Sequence, residues 1–383
     1  MVKIALLGAT GSIGASTLEV VKEQRDHFSL ALVSAHVDHR SLGRIAQAFN
    51  VPVIVLTGIS DPLQQSAIRA EYPDLRVLFG EAELLQALAG EDYDLALNAI
   101  SGSAGLRSSF ATAERGKKLA LANKESLVMA GHLLIPLLKE KRAQIVPVDS
   151  EHSAIFQALG PHPRVEVRKL HLTASGGAFR TLPLEEFAKI TPEQALRHPN
   201  WDMGAKVTLD SATMFNKALE VMEAHWLFGL PYDKISAVLH PQSVIHSLVE
   251  FVDGSFLAQL SSPDMKLPIL YALSHPDRFP SQLVQTNLLE LGDLNFAPIE
   301  PERYPLYYLG LEVAREGGIL PTVLNSANEA ALQLFQSGKI GFTGIHRVCE
   351  RAVSAYPNIA APGLESIIEA NQEVRQVILD KYK

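Results

Sequence analysis

The chain has 383 residues, 47% of them hydrophobic and 20% charged, globular material long enough for two or three domains with substantial cores. A formal net charge of -8 excludes the basic face that general nucleic-acid binding needs. The one cysteine, Cys349, excludes an intrachain disulfide framework and a cysteine metal cage. No stretch approaches the roughly 20 apolar residues of a membrane span, and Met1-Val2-Lys3 opens without the apolar run of a signal peptide. A reducing, cytoplasmic setting is expected.

Lys3 to Leu7 is a short apolar run ending in Gly8, a buried-strand pattern. A helix follows over Ser16 to Glu23. Further strands are predicted at Leu30 to Ser34, Val51 to Leu56, Leu95 to Ile100, Lys118 to Ala122 and Gln144 to Val148, with a helix around Leu133 to Lys139. Strands alternating with helices imply a doubly wound parallel sheet. After Asp149 the runs Val165 to Thr173, Ile235 to Leu239 and Ser247 to Val252 read as an α+β domain. Asp253-Gly254 would turn the last of these into a hairpin with Phe256 to Leu260. Leu283 to Pro305 reads as an irregular linker. Helices are expected over Leu306 to Glu316, Thr322 to Gln336, Phe342 to Tyr356 and Leu364 to Tyr382, a small bundle. The fold class is therefore α/β: a Rossmann-like N-terminal domain (1–149), a catalytic α+β domain (150–285), a linker (286–305) and a C-terminal helical domain (306–383). Cys349 falls in an apolar helical pattern and reads as a small buried hydrophobe.

Gly8-Ala9-Thr10-Gly11-Ser12-Ile13-Gly14 joins the first strand to the first helix. Its glycines allow a tight turn and close approach to a pyrophosphate at the helix N-terminus. The spacing is G-x-x-G-x-x-G, so a simple strand-to-helix turn is the alternative; the position at the head of a βαβ pattern favours the dinucleotide. The second strand ends at Ser34-Ala35, followed by His36-Val37-Asp38-His39-Arg40. Basic groups without an acid at the strand end favour NADPH, while a small register change would restore an acid at Asp38, and His36, His39 and Arg40 could instead be a solvated helix start. Asn98 to Gly102 and Ala122-Asn123-Lys124-Glu125-Ser126 put polar residues at two later strand ends, the ligand face of such sheets. Lys124 is there a candidate substrate or acid–base lysine, or part of a cap.

Asp149-Ser150-Glu151 lies just past a strand. In an extended segment residues i and i+2 share a direction, so both carboxylates would face one ion; the alternative is capping of a helix over Ser153 to Leu159. A helix over Ala212 to Trp226 carries an apolar stripe, Phe215, Ala218, Leu219, Met222 and Trp226, with Asn216, Lys217, Glu220 and Glu223 on the other side. Glu220 would complete a carboxylate set of the hard, oxygen-donor kind that suits Mg2+ or Mn2+. Asn216 and Lys217 would supply phosphate donors; a surface ion pair is the bland reading. Asp210-Ser211 at the helix start would add a hydroxyl and free N–H groups for an anion. Ala174-Ser175-Gly176-Gly177 and His198-Pro199-Asn200-Trp201-Asp202-Met203-Gly204 frame a candidate lid in which Trp201 and Met203 exclude water. His240 and His246 are kept as support only.

These motifs, with His240-Pro241-Gln242-Ser243, occur in the order found in the 1-deoxy-D-xylulose 5-phosphate reductoisomerase family, which the whole chain resembles. The resemblance implies NADPH, a divalent metal (Mg2+, Mn2+ or Co2+), a sugar phosphate substrate and a homodimer. It implies conversion of 1-deoxy-D-xylulose 5-phosphate to 2-C-methyl-D-erythritol 4-phosphate. By that likeness Asp149, Glu151 and Glu220 bind the metal. Ser175, Ser211, Asn216 and Lys217 hold the phosphate with His198 nearby, and Lys124, Ser150 and Glu151 meet the reacting polyol. Lys124, Glu151 and His198 are the candidate catalytic residues, and Trp201 belongs to the lid. Cofactor contacts fall to Thr10, Gly11, Ser12, Ile13, His36, Asn123, Glu125 and Gly204. Ala35-His36-Val37 departs from the family, where a basic residue followed by Asn is common. His225 stands where an arginine is common. A semialdehyde dehydrogenase could share the glycine loop but needs an acyl-forming cysteine, and Cys349 lies far along in a helix. An NADP-sensing protein would leave the carboxylates unexplained.

Overall fold

The computed structural model describes residues 1–201 and 203–383. The chain divides into two compact units. One comprises Met1–Ser126, Leu134–Ser153 and Met265–Val284; the other comprises Leu127–Leu133, Ala154–Asp264 and Gln285–Lys383.

The first unit holds seven strands: β1 (Val2–Leu7), β2 (Phe28–Ala35), β3 (Val53–Leu56), β4 (Arg76–Phe79), β5 (Leu95–Asn98), β6 (Lys118–Leu121) and β7 (Ile145–Pro147). They form one parallel sheet in the order β4-β3-β2-β1-β5-β6-β7. The order reverses at β1, so the crevice beyond β1 and β5 is the switch point where such sheets take ligands. Ala5, Leu7, Leu32, Val55, Leu88 and Tyr93 are among the residues of its core. The six expected strands are present. β4 went unseen, because four residues opening with Arg76 carry too little periodicity to mark an edge strand.

Residues 265–284, expected with the catalytic domain, belong instead to this unit. The helix Lys266–Ser274 lies against the helix Ser12–Glu23, Lys266 pairs with Glu19 at 3.2 Å, and Gln24 Nε2 donates to the Pro280 carbonyl at 2.7 Å. Packing of an apolar helix face overrides chain order.

The second unit is built on β8 (Val167–Ala174), β9 (Ile235–Leu239), β10 (Ile245–Phe251) and β11 (Phe256–Leu260), ordered β11-β10-β8-β9. β10 and β11 form the expected antiparallel hairpin, with Gly254 at φ +87 in its turn. The helix Phe215–Phe228 packs on the sheet and on the helix Pro305–Glu316. At that crossing a Cβ on Gly310 would stand 2.4 Å from Ala218 Cβ, so glycine sets the close approach. Tyr304 and Tyr307 join Leu170, Leu172, Val221 and Val249 in one core. The C-terminal helices Leu320–Gln336, Phe342–Ala355 and Leu364–Lys381 match expectation closely. Cys349 is fully buried and burial pushes its thiol pKa up. No helix among the described residues is long and apolar enough to cross a membrane.

Candidate active site

In the first unit the glycine loop is shaped by close backbone approach. Gly8 has φ +81, and a Cβ there would lie 2.6 Å from the Ala99 carbonyl oxygen; on Gly14 it would lie 2.4 Å from that of Ala9. The helix Ser12–Glu23 starts behind Gly11 with no side-chain cap, and Thr10, Gly11 and Ser12 are exposed with Ile13 half-buried. Uncapped first-turn N–H groups at a positive helix terminus suit a pyrophosphate.

Past β2, Asp38 begins a helix. Its carboxylate caps the helix His39–Phe49, accepting from Ser41 N at 3.0 Å, and that N–H holds its pKa down. That carboxylate oxygen of Asp38 serves the cap. His36 is exposed, its Nδ1 lies 3.2 Å from Thr57 Oγ1, and its ring lies so close over Gly58 that a Cβ there would meet it at 2.4 Å.

β6 and β7 are neighbours, with Leu121 opposite Pro147, so the residues just past their ends meet. Lys124 Nζ and Asp149 Oδ2 are 2.5 Å apart, with side chains 10% and 12% exposed. Asn123 is buried as a hub: its Nδ2 donates to the carbonyls of Ile100 (2.8 Å) and Gly102 (2.7 Å) and lies 3.2 Å from Glu125 Oε2. The expected extended geometry at Asp149 is not found. Asp149 accepts the first helical bond, from Ser153 N at 2.8 Å, and the helix Ser150–Leu159 begins at once. Glu151 is therefore a first-turn acid, with Ser150 Oγ donating to its Oε2 at 2.5 Å. His152, fully buried, sets Nδ1 3.8 Å from Asp149 Oδ2. Sequence reasoning missed it, although i,i+3 spacing on a helix is the signal that marks it.

In the second unit β8 ends at a double glycine turn, with Gly176 at φ +83 and Gly177 at φ +68. Tyr304 Oη donates to the Gly176 carbonyl at 2.9 Å, and Arg180 holds the Ser175 carbonyl at 2.5 Å. The N–H groups of Asn200 (3.2 Å) and Trp201 (2.9 Å) both donate to His198 Nδ1. The ring proton therefore sits on Nε2, which donates to Ser175 Oγ at 3.0 Å. Gly177 N donates to the same Oγ at 3.1 Å. Having accepted twice, the Ser175 hydroxyl keeps its proton for an outside acceptor. Burial lowers the His198 pKa to about 4, in keeping with a neutral ring.

The single helix expected over Ala212 to Trp226 is two. The first is Ala205–Ala212, with exposed Gly204 as its N-cap; the second, Phe215–Phe228, follows Met214 at φ +59. Asp210 and Ser211 thus end a helix rather than start one, and the expected free N–H groups are not there. Lys217 and Glu220 are not a surface pair: their side chains are 5% and 1% exposed and hydrogen-bonded to each other, with Asn216 Nδ2 donating to the other Glu220 oxygen. What local periodicity reads as a solvated face is buried in the fold.

On the candidate lid, Asn200 Nδ2 donates to the Pro241 carbonyl at 2.6 Å and Ser243 Oγ at 2.9 Å. The Trp201 ring lies 5.9 Å from that of His246, and Met203 is half-buried. Asp202 lies outside the described residues. His240 is structural: Nδ1 meets the Asn295 carbonyl, and Nε2 accepts from Val244 and Ile245.

The doubly wound parallel sheet with a glycine turn at its switch point is the fold of a dinucleotide-dependent oxidoreductase. Models of the 1-deoxy-D-xylulose 5-phosphate reductoisomerase family match residues 4–131, 145–228 and 260–377, the last two as C-terminal domains of that enzyme. The chain is 44% identical over its whole length to the 1-deoxy-D-xylulose 5-phosphate reductoisomerase of Lysinibacillus sphaericus, covering 100% of both. It is 45% identical to that of Halalkalibacterium halodurans, covering 98% of both. Among solved structures it is similar to the Zymomonas mobilis enzyme in complex with NADPH (TM-score 0.91, 39% identity, 100% of this chain and 99% of that one). It is also similar to a DOX-P reductoisomerase with NADPH, fosmidomycin and magnesium (TM-score 0.93, 37% identity, 100% and 98%). This chain belongs to the 1-deoxy-D-xylulose 5-phosphate reductoisomerase family.

Proposed function

We infer that the chain converts 1-deoxy-D-xylulose 5-phosphate to 2-C-methyl-D-erythritol 4-phosphate, using NADPH and a divalent metal. The observation that carries this is family membership along the whole chain, 44% identity over 384 aligned residues with complete coverage. Relatives crystallised with NADPH and with magnesium support both cofactors.

Asp149, Glu151 and Glu220 are assigned to the metal. All are oxygen donors, the choice of Mg2+ or Mn2+, and the Lys124 ammonium against Asp149 marks a place that accommodates positive charge. When bound, the ion supplies Lewis-acid polarisation of the substrate's oxygens and NADPH supplies hydride. Ser175, Ser211, Asn216 and Lys217 take the phosphate. The Ser175 proton, left over by the His198 tautomer, is a donor aimed by the protein. The buried Lys217 ammonium supplies charge where water screens it little. Binding energy gathered on the phosphate orients the reacting carbons, which is why a clamp remote from the chemistry raises rate. Lys124, Ser150 and Glu151 meet the polyol, with Lys124 Nζ the proton carrier beside it. Trp201 is assigned to a lid that excludes water. Thr10 to Ile13, Asn123, Glu125 and Gly204 are assigned to the cofactor, and His36 to its 2′-phosphate.

The enzyme works as a homodimer in the cytoplasm. Support for the dimer is the edge strand β11, where Phe256, Leu257 and Leu260 are 51%, 45% and 40% exposed; a long apolar edge left open is an aggregation hazard. Phe256→Glu should give monomers in light scattering. The function itself is tested by following NADPH absorbance with 1-deoxy-D-xylulose 5-phosphate, first with Mn2+ and then with EDTA. Metal-dependent oxidation is expected; no oxidation with either NADPH or NADH would refute it.

A further inference from the structure

The helix Leu320–Gln336 buries an unusual run of polar side chains: Thr322, Asn325, Ser326 and Asn328 are all 0% exposed. A buried amide normally satisfies both its oxygen and its nitrogen. Asn328 does not, since its Oδ1 has no partner among the described residues. Its Nδ2 makes one short bond, 2.7 Å to Asp210 Oδ1, across 118 positions of sequence. Lys206 Nζ takes the other oxygen of Asp210 at 2.9 Å. Asp210 is 1% exposed, so these two donors fix its rotamer and offset its charge.

Ser211 follows directly. Its carbonyl lies close to Gly177, where an added Cβ would come within 2.5 Å, and Thr213 Oγ1 donates to the Asp210 carbonyl at 3.2 Å. Ser211 ends a helix, where the dipole is negative and disfavours an anion. A buried carboxylate next door would repel a phosphate further unless its charge were offset. A phosphate hydroxyl placed there needs both exact aim and a neutralised neighbour.

We propose that Asn328 is a positioning residue: through Asp210 it holds Ser211 in place and quiets the carboxylate beside it, so that the substrate phosphate can bind. This rests on the assignment of Ser211 to the phosphate made above. The test uses the full-length enzyme with Asn328→Ala, Ser211→Ala and the double variant. KM for 1-deoxy-D-xylulose 5-phosphate, kcat, and the Kd values of inorganic phosphate and of NADPH are measured. Asn328→Ala should raise KM and the phosphate Kd by about tenfold or more, leave kcat within about twofold and leave NADPH affinity unchanged. The double variant should bind phosphate no worse than Ser211→Ala alone, because coupled residues are not additive. A merely structural Asn328 would lower the melting temperature without moving KM, or its effect would multiply with that of Ser211→Ala; either result overturns the proposal. If Ser211→Ala leaves phosphate affinity intact, the phosphate assignment itself falls, and the proposal with it. Should Asn328→Ala fail to fold, Asn328→Ser, whose hydroxyl is too short to reach Asp210, must show the same KM shift.

Discussion

Replacing Gly177 by Ala should damage substrate binding through a single methyl group. The residue sits at φ +68, and the added Cβ would stand 2.5 Å from the Ser211 carbonyl oxygen and 2.9 Å from Ala212 Cα. Both obstacles are backbone, so no side chain can swing aside. The left-handed conformation costs a non-glycine residue roughly 1–2 kcal/mol, and relieving the contact adds about 1–3 kcal/mol of overpacking. Together these predict about 2–5 kcal/mol of lost stability. Restoring an ordinary contact needs a separation change of nearly 1 Å between the end of β8 and Ser211, and a misplacement of that size costs on the order of 100-fold. The assay is steady-state NADPH consumption at saturating metal, with a thermal melt and a fluorescence titration of NADPH. The expected result is a lower melting temperature and a sharply higher KM for 1-deoxy-D-xylulose 5-phosphate, with NADPH affinity retained. A variant with parental melting temperature and KM would refute the reasoning, as would one that loses NADPH while keeping its sugar phosphate.

Three further outcomes are expected. Glu220→Gln should abolish metal-dependent turnover and spare NADPH binding; because it removes a buried charge from beside Lys217, it should also melt earlier, and loss of NADPH binding would defeat the metal assignment. His36→Asp puts an acid at the end of β2, so NADPH should bind about tenfold more weakly and NADH more tightly; an unchanged ratio of the two Kd values would remove His36 from the 2′-phosphate end. Burial lowers the His198 pKa from an ordinary 6.5 to about 4, so the unfolded chain binds a proton that the folded one refuses between those values. Stability from this source is full above about pH 6.5 and drains as pH falls towards 4. His198→Gln should flatten that part of the melting-temperature profile, and parallel profiles would contradict it.

The Rossmann-like sheet was legible because each strand is a short run buried on both faces, and each ends in glycine or polar residues that local sequence displays. β1, β2, β5 and the Asp253-Gly254 hairpin all follow from that. The C-terminal helices were legible for the same kind of reason, since 3.6-residue periodicity survives without knowing the partner. Edge strand β4 was not, being four residues with little pattern. Nor was the break at Met214, a left-handed turn on a non-glycine residue next to the segment that Gly177 approaches closely.

The candidate site divides along the same line. Sequence alone determined which residue types are present and in what order: the glycine turn, the oxygen-donor acids, Lys124, Lys217, and the serines. Tertiary structure decided their electrostatic state. Asp38 is a cap because Ser41 N reaches it, and Lys124 meets Asp149 because β6 and β7 are neighbours. Lys217 and Glu220 are buried although local periodicity reads their side of the helix as solvated. Periodicity and turn chemistry are local properties. Burial and charge environment are set by whatever the rest of the chain places alongside, and that no window of sequence contains.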